Sequence, residues 1–81
     1  MPDMSDSERQ AVEKLHRQCM AAVGRLLKES EAMCRLLGAV KRHPVTVEER
    51  MAIVEQRVRE NDAQSAYNSV RQALFTLAGW A

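Results

Sequence analysis

One pattern in the first half of the chain restricts the fold more than any other feature. From Val12 to Leu37, apolar residues recur every three or four positions, which is the spacing of one face of an α-helix. They are Val12, Leu15, Cys19, Ala22, Val23, Leu26, Leu27, Met33, Cys34, Leu36 and Leu37. Only three glycines and two prolines occur in the 81 residues, so few turn residues are present for a β fold. The sequence therefore predicts an all-α protein.

The first helix has recognisable ends. A capping box, in which a Ser or Thr side chain bonds to the helix start, can form from Ser5 with Glu8 or from Ser7 with Gln10. Gly38 follows the last apolar residue and suits a helix C-cap. We therefore expect a first helix over about residues 6–37, preceded by a flexible tail at 1–5.

The second half of the chain predicts two shorter helices. Pro44 ends the first helical region, and Thr46 with Glu49 forms another capping box, so a helix begins at about Val47. Its apolar residues are Val47, Met51, Val54 and Val58, and the next apolar set is out of phase with them: Ala63, Ala66, Tyr67, Val70, Leu74 and Leu77. We place a break at Asn61-Asp62, giving helices over about 47–60 and 62–79. A single kinked helix is the alternative.

These helices predict one domain over residues 1–81, in which the long helix packs antiparallel against the two shorter ones. A core of this size is marginally stable, so we expect dimerisation to complete a helical bundle. From Ala63 to Ala81 the chain carries one charged residue, Arg71, and all three aromatic residues. We therefore predict that this charge-poor tail forms the interface, through Tyr67, Val70, Leu74, Phe75, Leu77 and Trp80.

Composition and charge indicate which partners and which cellular location to expect. The net charge is +1 with both signs interspersed, so no nucleic-acid partner is expected. No apolar run approaches the roughly 20 residues that span a bilayer, and the polar start is not a secretory signal. We expect a cytoplasmic protein with no membrane partner. On one helix, Cys19 and Cys34 would lie about 22 Å apart, so we expect reduced thiols, with an intermolecular bridge or redox role as the alternative.

Candidate chemical sites are few. His16 and Cys19 share a helix face but provide only two ligands, so no metal and no cofactor is predicted. Glu29 and Ser30 interrupt the apolar stripe and form a polar notch of unassigned role, with His16 beside the stripe. A basic set at the end of the first helix offers an anion contact as an alternative reading: Arg35, Lys41 and Arg42.

The segment LLKESEAMCRLLGAVK, followed by Pro44-Val45 and Glu49-Arg50, resembles the AroQ-class chorismate mutases in its spacing and in the layout of helices. The resemblance implies a helical dimer that binds a small anionic metabolite, with Lys41 as a basic contact. The positions matched to that family's arginines are Glu13 and Ser30, which departs from the family pattern and argues against mutase activity.

No motif indicates a reaction. The sequence therefore favours a small, self-associating and non-enzymatic helical module that binds another protein, such as an adaptor, chaperone or regulatory subunit. The alternatives are a chorismate-mutase-like dimer with a degenerate site and a nucleic-acid-binding regulator.

Overall fold

The computed structural model of the chain describes residues 5–41 and 43–79 and contains two helices. Helix α1 covers Asp6–Val40 and helix α2 covers Val47–Leu77. The two helices pack against each other as an antiparallel hairpin that measures 61 × 16 × 16 Å. The predicted all-α class is confirmed, and so is the antiparallel packing of the long first helix against the second half of the chain.

The starts of both helices are fixed by the expected caps. The Ser5 hydroxyl oxygen accepts a hydrogen bond of 3.2 Å from the Glu8 backbone N–H. At α2 the capping box is complete, because the Glu49 N–H donates to the Thr46 hydroxyl at 3.1 Å and the Thr46 N–H donates to the Glu49 carboxylate at 3.0 Å. Ser5 is thus the N-cap of α1, whereas the rest of the predicted flexible tail, residues 1–4, lies outside the described residues.

The end of α1 differs from the prediction. The helix continues to Val40, and Lys41 is its C-cap in a right-handed conformation, so Gly38 lies inside the helix. Gly38 is not a C-cap because the chain does not turn there: Gly79 is the described glycine with a positive φ. The segment before Pro44 ends the helix instead, since a proline disfavours helical geometry in the residue that precedes it.

Helix α2 runs without interruption through Asn61-Asp62, so the predicted third helix is not confirmed. Along the whole of α2, one row of residues spaced alternately four and three positions apart is buried or half-buried. We call it the inner stripe of α2: Glu49, Ile53, Gln56, Glu60, Ala63, Tyr67, Val70, Leu74 and Leu77. The apolar set from Val47 to Val58 lies on a different face. The apparent change of phase is therefore a change of face on one helix.

An equivalent stripe on α1 faces α2. The inner stripe of α1 is Val12, Leu15, Cys19, Ala22, Leu26, Glu29, Met33, Leu36 and Val40, all half-buried. Steps of three and four on both helices are the spacing of a coiled-coil seam. The interior that they form is thin, because Ala63 and Gln56 are the only described residues that are buried.

The glycines of the hairpin provide a direct test of the helix boundaries. A methyl group added at Gly38 or at Gly24 meets no atom within 4 Å, so α2 does not approach either glycine closely. Because Gly38 is helical and exposed, we expect Gly38→Ala to raise the free energy of unfolding by about 1 kcal/mol. Gly79→Ala is the matched control and should destabilise, since φ is +79° there. Urea unfolding followed by circular dichroism checks both, and equal effects of the two changes would contradict the boundaries.

Candidate interaction surface

Large apolar side chains of α1 are exposed along a second face. Met20 and Leu27 have exposed fractions of 58% and 60%, and Leu37 has 44%. Cys34 is also exposed and continues the seven-residue spacing of Met20 and Leu27. We call Met20, Leu27, Cys34 and Leu37 the outer stripe of α1. Such a row is unusual on a monomer surface, because apolar residues in helical register normally face a neighbour.

The beginning of α2 carries a similar row. We call Val47, Met51, Val54 and Val58 the outer stripe of α2, and their exposed fractions range from 54% to 69%. These four are the apolar set from which the sequence analysis identified the second helix, and the structure places them on its exposed face. Ile53 and Gln56 occupy the inward positions instead, so the valines face solvent.

The two outer stripes overlap in part, both along the hairpin and around it. Leu27 follows Leu26 of its inner stripe, and Val54 follows Ile53 of its own, so each is rotated by about 100° from the helix contact. Because the helices are antiparallel, rotations of the same sense carry Leu27 and Val54 to one side. Met51 and Val58 instead follow inner residues by two positions, so they are rotated by about 200° and point away from α1. The outer stripe of α2 lies in the half of the hairpin nearest the connection between Lys41 and Thr46, which we call the loop end, and so do Leu27, Cys34 and Leu37 of α1, whereas Met20 lies in the other half.

A polar contact inside the hairpin fixes the register of α2 relative to α1. The Gln56 side-chain amide donates hydrogen bonds of 2.9 Å to the Glu29 carbonyl and 2.8 Å to the Glu29 carboxylate. Gln56 is 4% exposed. Part of the predicted polar notch is therefore this interhelical contact, while Ser30 is half-buried beside it and His16 is exposed near the other end.

The predicted tail interface divides into three groups. Tyr67, Val70, Leu74 and Leu77 belong to the inner stripe of α2 and are half-buried. Phe75 is half-buried, with the Arg71 guanidinium 5.2 Å from the centre of its ring. Trp80 lies outside the described residues. The tail interface therefore remains a prediction.

The predicted anion contacts are not gathered into one site among the described residues. Arg35 and Lys41 are both exposed and lie about 9 Å apart along the axis of α1, and Arg42 lies outside the described residues. Arg35 instead borders an open groove of about 430 Å³ between the helices, with Glu55 and Arg59 on the opposite wall and alanines along its floor. The mixture of charges gives this groove no clear preference for an anion.

At the start of α2, the carboxyl group of Glu49 has a lowered pKa. The N–H donated by the Thr46 backbone holds the pKa of the Glu49 carboxyl below its ordinary value of 4.5, and the Thr46 hydroxyl and nearby His43 act in the same direction. Partial desolvation opposes them. The His43 Nε2 lies 3.5 Å from the Glu49 carboxylate, and its Nδ1 lies 3.0 Å from the Pro44 carbonyl oxygen.

This arrangement predicts a pH dependence. Because the carboxyl pKa is lower in the folded state, Glu49 stabilises the fold fully above its unfolded pKa, and that stabilisation is lost as pH falls through the folded pKa. We expect the difference in urea midpoint between wild type and Glu49→Gln to be largest near neutral pH and to shrink as the pH is lowered below the ordinary carboxyl pKa of 4.5. A difference that stays constant over this range would contradict the role of the ionised capping box.

In the described ranges, no three His, Cys, Asp or Glu side chains converge as metal ligands, and Cys19 and Cys34 are free thiols. Neither helix, over the residues that the structure describes, contains a stretch long and apolar enough to cross a bilayer.

These features define the class of the protein as an all-helical antiparallel hairpin with two exposed apolar stripes. Comparison with family models, with curated proteins and with solved structures found no match. The sequence contained one signal of the outer stripes that the interpretation missed: two interleaved rows in steps of four and three run along each helix. Apolar character alone does not tell which row faces the other helix.

Proposed function

We propose that this chain is a small, non-enzymatic interaction module that associates with itself through its helices. The observation that carries the proposal is the combination of a thin interior with large exposed apolar side chains. Ala63 is the single buried apolar residue among those described, whereas eight large apolar side chains, including Met20 and Val54, are exposed. A second chain that covers part of this apolar surface supplies burial that the hairpin lacks.

The surface area supports this proposal. The chain exposes 6490 Å², against about 4,900 Å² for a compact monomer of its mass, which is roughly 1,600 Å² in excess. A stable interface of standard size covers about 800 Å² on each partner. The radius of gyration, 18.1 Å against about 12 Å for a compact chain of this length, also indicates an element of a larger assembly.

The enzyme alternative has no comparable support. Its anion contacts, Arg35 and Lys41, are separate and exposed, and the chorismate-mutase layout needs a third helix that residues 5–41 and 43–79 do not contain. We therefore propose a protein-binding function and assign no catalytic residue.

Sedimentation velocity of the purified chain tests the proposed function. We expect a particle of two chains, each of 9.2 kDa, at micromolar concentration. A folded particle with the mass of one chain over the whole accessible concentration range would contradict self-association.

A further inference from the structure

We infer that the two copies pair through their second helices, which lie parallel to each other and touch along the side of α2 that faces away from α1. In this dimer the two α2 helices are central, the two α1 helices are outside, and both loop ends lie at the same end. The inference rests on the proposed self-association and adds the surface and its orientation. Its closing experiments are chosen so that the two proposals fail in different ways.

A second coiled-coil seam runs along α2. The outer stripe of α2 continues in the same steps of four and three as far as Phe75. Its two kinds of position are rotated by about 100° and 200° from the inner stripe, so the row as a whole points away from α1. We call this row the outer seam of α2: Val47, Met51, Val54, Val58, Asn61, Ser65, Asn68, Gln72 and Phe75. All are exposed except Phe75, which is half-buried. This spacing is typical of a contact with another helix.

The two edges of the outer seam carry opposite charges. On one edge each charged residue directly follows an inner-stripe residue, and all are basic: Arg50, Arg57 and Arg71. On the other edge each charged residue directly precedes one, and all are acidic: Glu48, Glu55 and Asp62. All six are exposed, and within residues 5–41 and 43–79 none of them forms an ion pair. Their charges are therefore available to a second chain.

Parallel pairing brings the unlike edges together. In a parallel coiled coil, one edge of the contact faces the opposite edge of the partner helix, five positions further along. Arg50 then faces Glu55 of the second copy, and Arg57 faces Asp62 of the second copy, each twice in a two-fold dimer. The apolar half of the seam packs on the same half of the other copy, and Asn61 meets Asn61. A polar pair of this kind fixes the register of a coiled coil.

Antiparallel pairing of the same seams is less favourable. If one copy is turned end for end about Asn61, Asp62 lies next to Asp62 of the other copy, and Arg50 lies next to Arg71. Like charges at a contact cost free energy. The turn also places the apolar half of each seam opposite the polar half of the other, so the valines are not covered by apolar side chains.

The outer stripe of α1 offers a weaker contact. Met20, Leu27 and Cys34 lie seven residues apart, and the positions that complete their steps of four and three are Gly24 and Glu31. A glycine adds little apolar area, and a carboxylate at a contact loses hydration. The continuous apolar seam is therefore on α2, and the pairing leaves the outer stripe of α1 exposed.

Single cysteines test the orientation in a background of Cys19→Ala and Cys34→Ala, which contains no thiol. A disulfide needs Cα atoms within about 7 Å. In the parallel pair every seam residue lies beside its own copy, so we expect Met51→Cys and Gln72→Cys each to give a covalent two-chain band after mild oxidation. Ala21→Cys, which is exposed on α1, is the matched control and should give none. Denaturant added before oxidation should remove the bands.

The antiparallel arrangement gives the opposite pattern. Neither Met51→Cys nor Gln72→Cys alone would form a band, whereas a mixture of the two would, because these positions lie close together when one helix is reversed. That pattern would overturn the inference, and so would the absence of any band. If wild type sediments as a dimer in either case, the proposed self-association survives and only its arrangement is wrong.

An exchange of charges tests the ion pairs in the chain with its own cysteines. We expect Arg57→Glu to raise the dissociation constant of the dimer about tenfold at low salt, because two attractive pairs become repulsive. Adding Asp62→Arg restores opposite charges and should bring the constant back to within about threefold of wild type. Arg59→Glu, exposed on a different face of α2, is the matched control and should change it less than about threefold. A double variant that does not recover would contradict the pairing.

A charge placed in the seam tests the surface itself. We expect Val58→Glu to raise the dissociation constant at least about tenfold, because an unpaired carboxylate would be desolvated at the contact. Leu27 on α1 is as exposed as Val58, at 60% against 54%, and Leu27→Glu should change the constant less than about threefold. The reverse order of effects, measured by sedimentation equilibrium, would move the interface to α1.

Discussion

Replacing Ala63 with leucine is expected to lower the free energy of unfolding by about 1–3 kcal/mol. Ala63 is 0% exposed and lies level with Ala22, because each is seven residues from the Gln56–Glu29 contact. Two alanines at one level let the helices approach closely there, so a larger side chain must push them apart or leave its rotamer minimum. Urea unfolding followed by circular dichroism measures the loss.

Ala73→Leu is the matched control for this substitution. Ala73 lies on the same helix but is exposed, so the added atoms extend into solvent and the change should stay within about 0.5 kcal/mol. If Ala63→Leu were as mild as Ala73→Leu, α1 and α2 would not be in close contact at this level.

Truncating Gln56 to alanine is expected to cost about 1–3 kcal/mol. The change removes the amide that donates to both the carbonyl and the carboxylate of Glu29, and it leaves those acceptors partly shielded from water. It also opens space in an interior that has few other buried atoms. The same urea experiment measures the effect.

Gln72→Ala provides the comparison for Gln56→Ala. Gln72 is exposed on the same helix, so its removal should change stability by less than about 0.5 kcal/mol. Equal losses for the two glutamines would mean that the interhelical contact does not contribute to the fold. A loss at Gln56 alone would identify this contact as the polar element that fixes the register of the hairpin.

Much of the fold could be predicted because its signals are local. A Thr followed by a Glu three residues later forms the capping box at Thr46 and Glu49 whatever the rest of the chain does. The period of the first forty residues likewise identifies α1. The end of α1 was harder to predict, since Gly38 is compatible with both a C-cap and a helix interior, and only the backbone conformation decides between them.

The continuity of α2 could not be predicted from apolar residues. In its first half, three of the four inward positions between Glu49 and Glu60 are polar, while the apolar row from Val47 to Val58 faces away from α1. A pattern based on hydrophobicity therefore selects the wrong face and then finds a break at Asn61. Gln56 becomes buried because Glu29 accepts its hydrogen bonds, and that pairing depends on the tertiary contact.

The candidate surface was equally ambiguous in the sequence. Leu26 and Leu27 both belong to the apolar pattern of α1, yet the structure places Leu26 against α2 and leaves Leu27 60% exposed. Neighbouring residues differ by about 100° around a helix, so a broad apolar face can serve two partners. The apolar residues of α1 that are left for a second partner can be identified only when the contact between α1 and α2 is known.

The central claim is that association with a second copy completes this fold, and the concentration dependence of thermal unfolding tests it most directly. A partner that binds only the folded state stabilises it in proportion to the logarithm of its concentration. We predict that the midpoint of the unfolding transition rises steadily as the chain concentration is increased a hundredfold, and that Val58→Glu abolishes the rise. A midpoint that does not change with concentration for the wild-type chain would contradict the account.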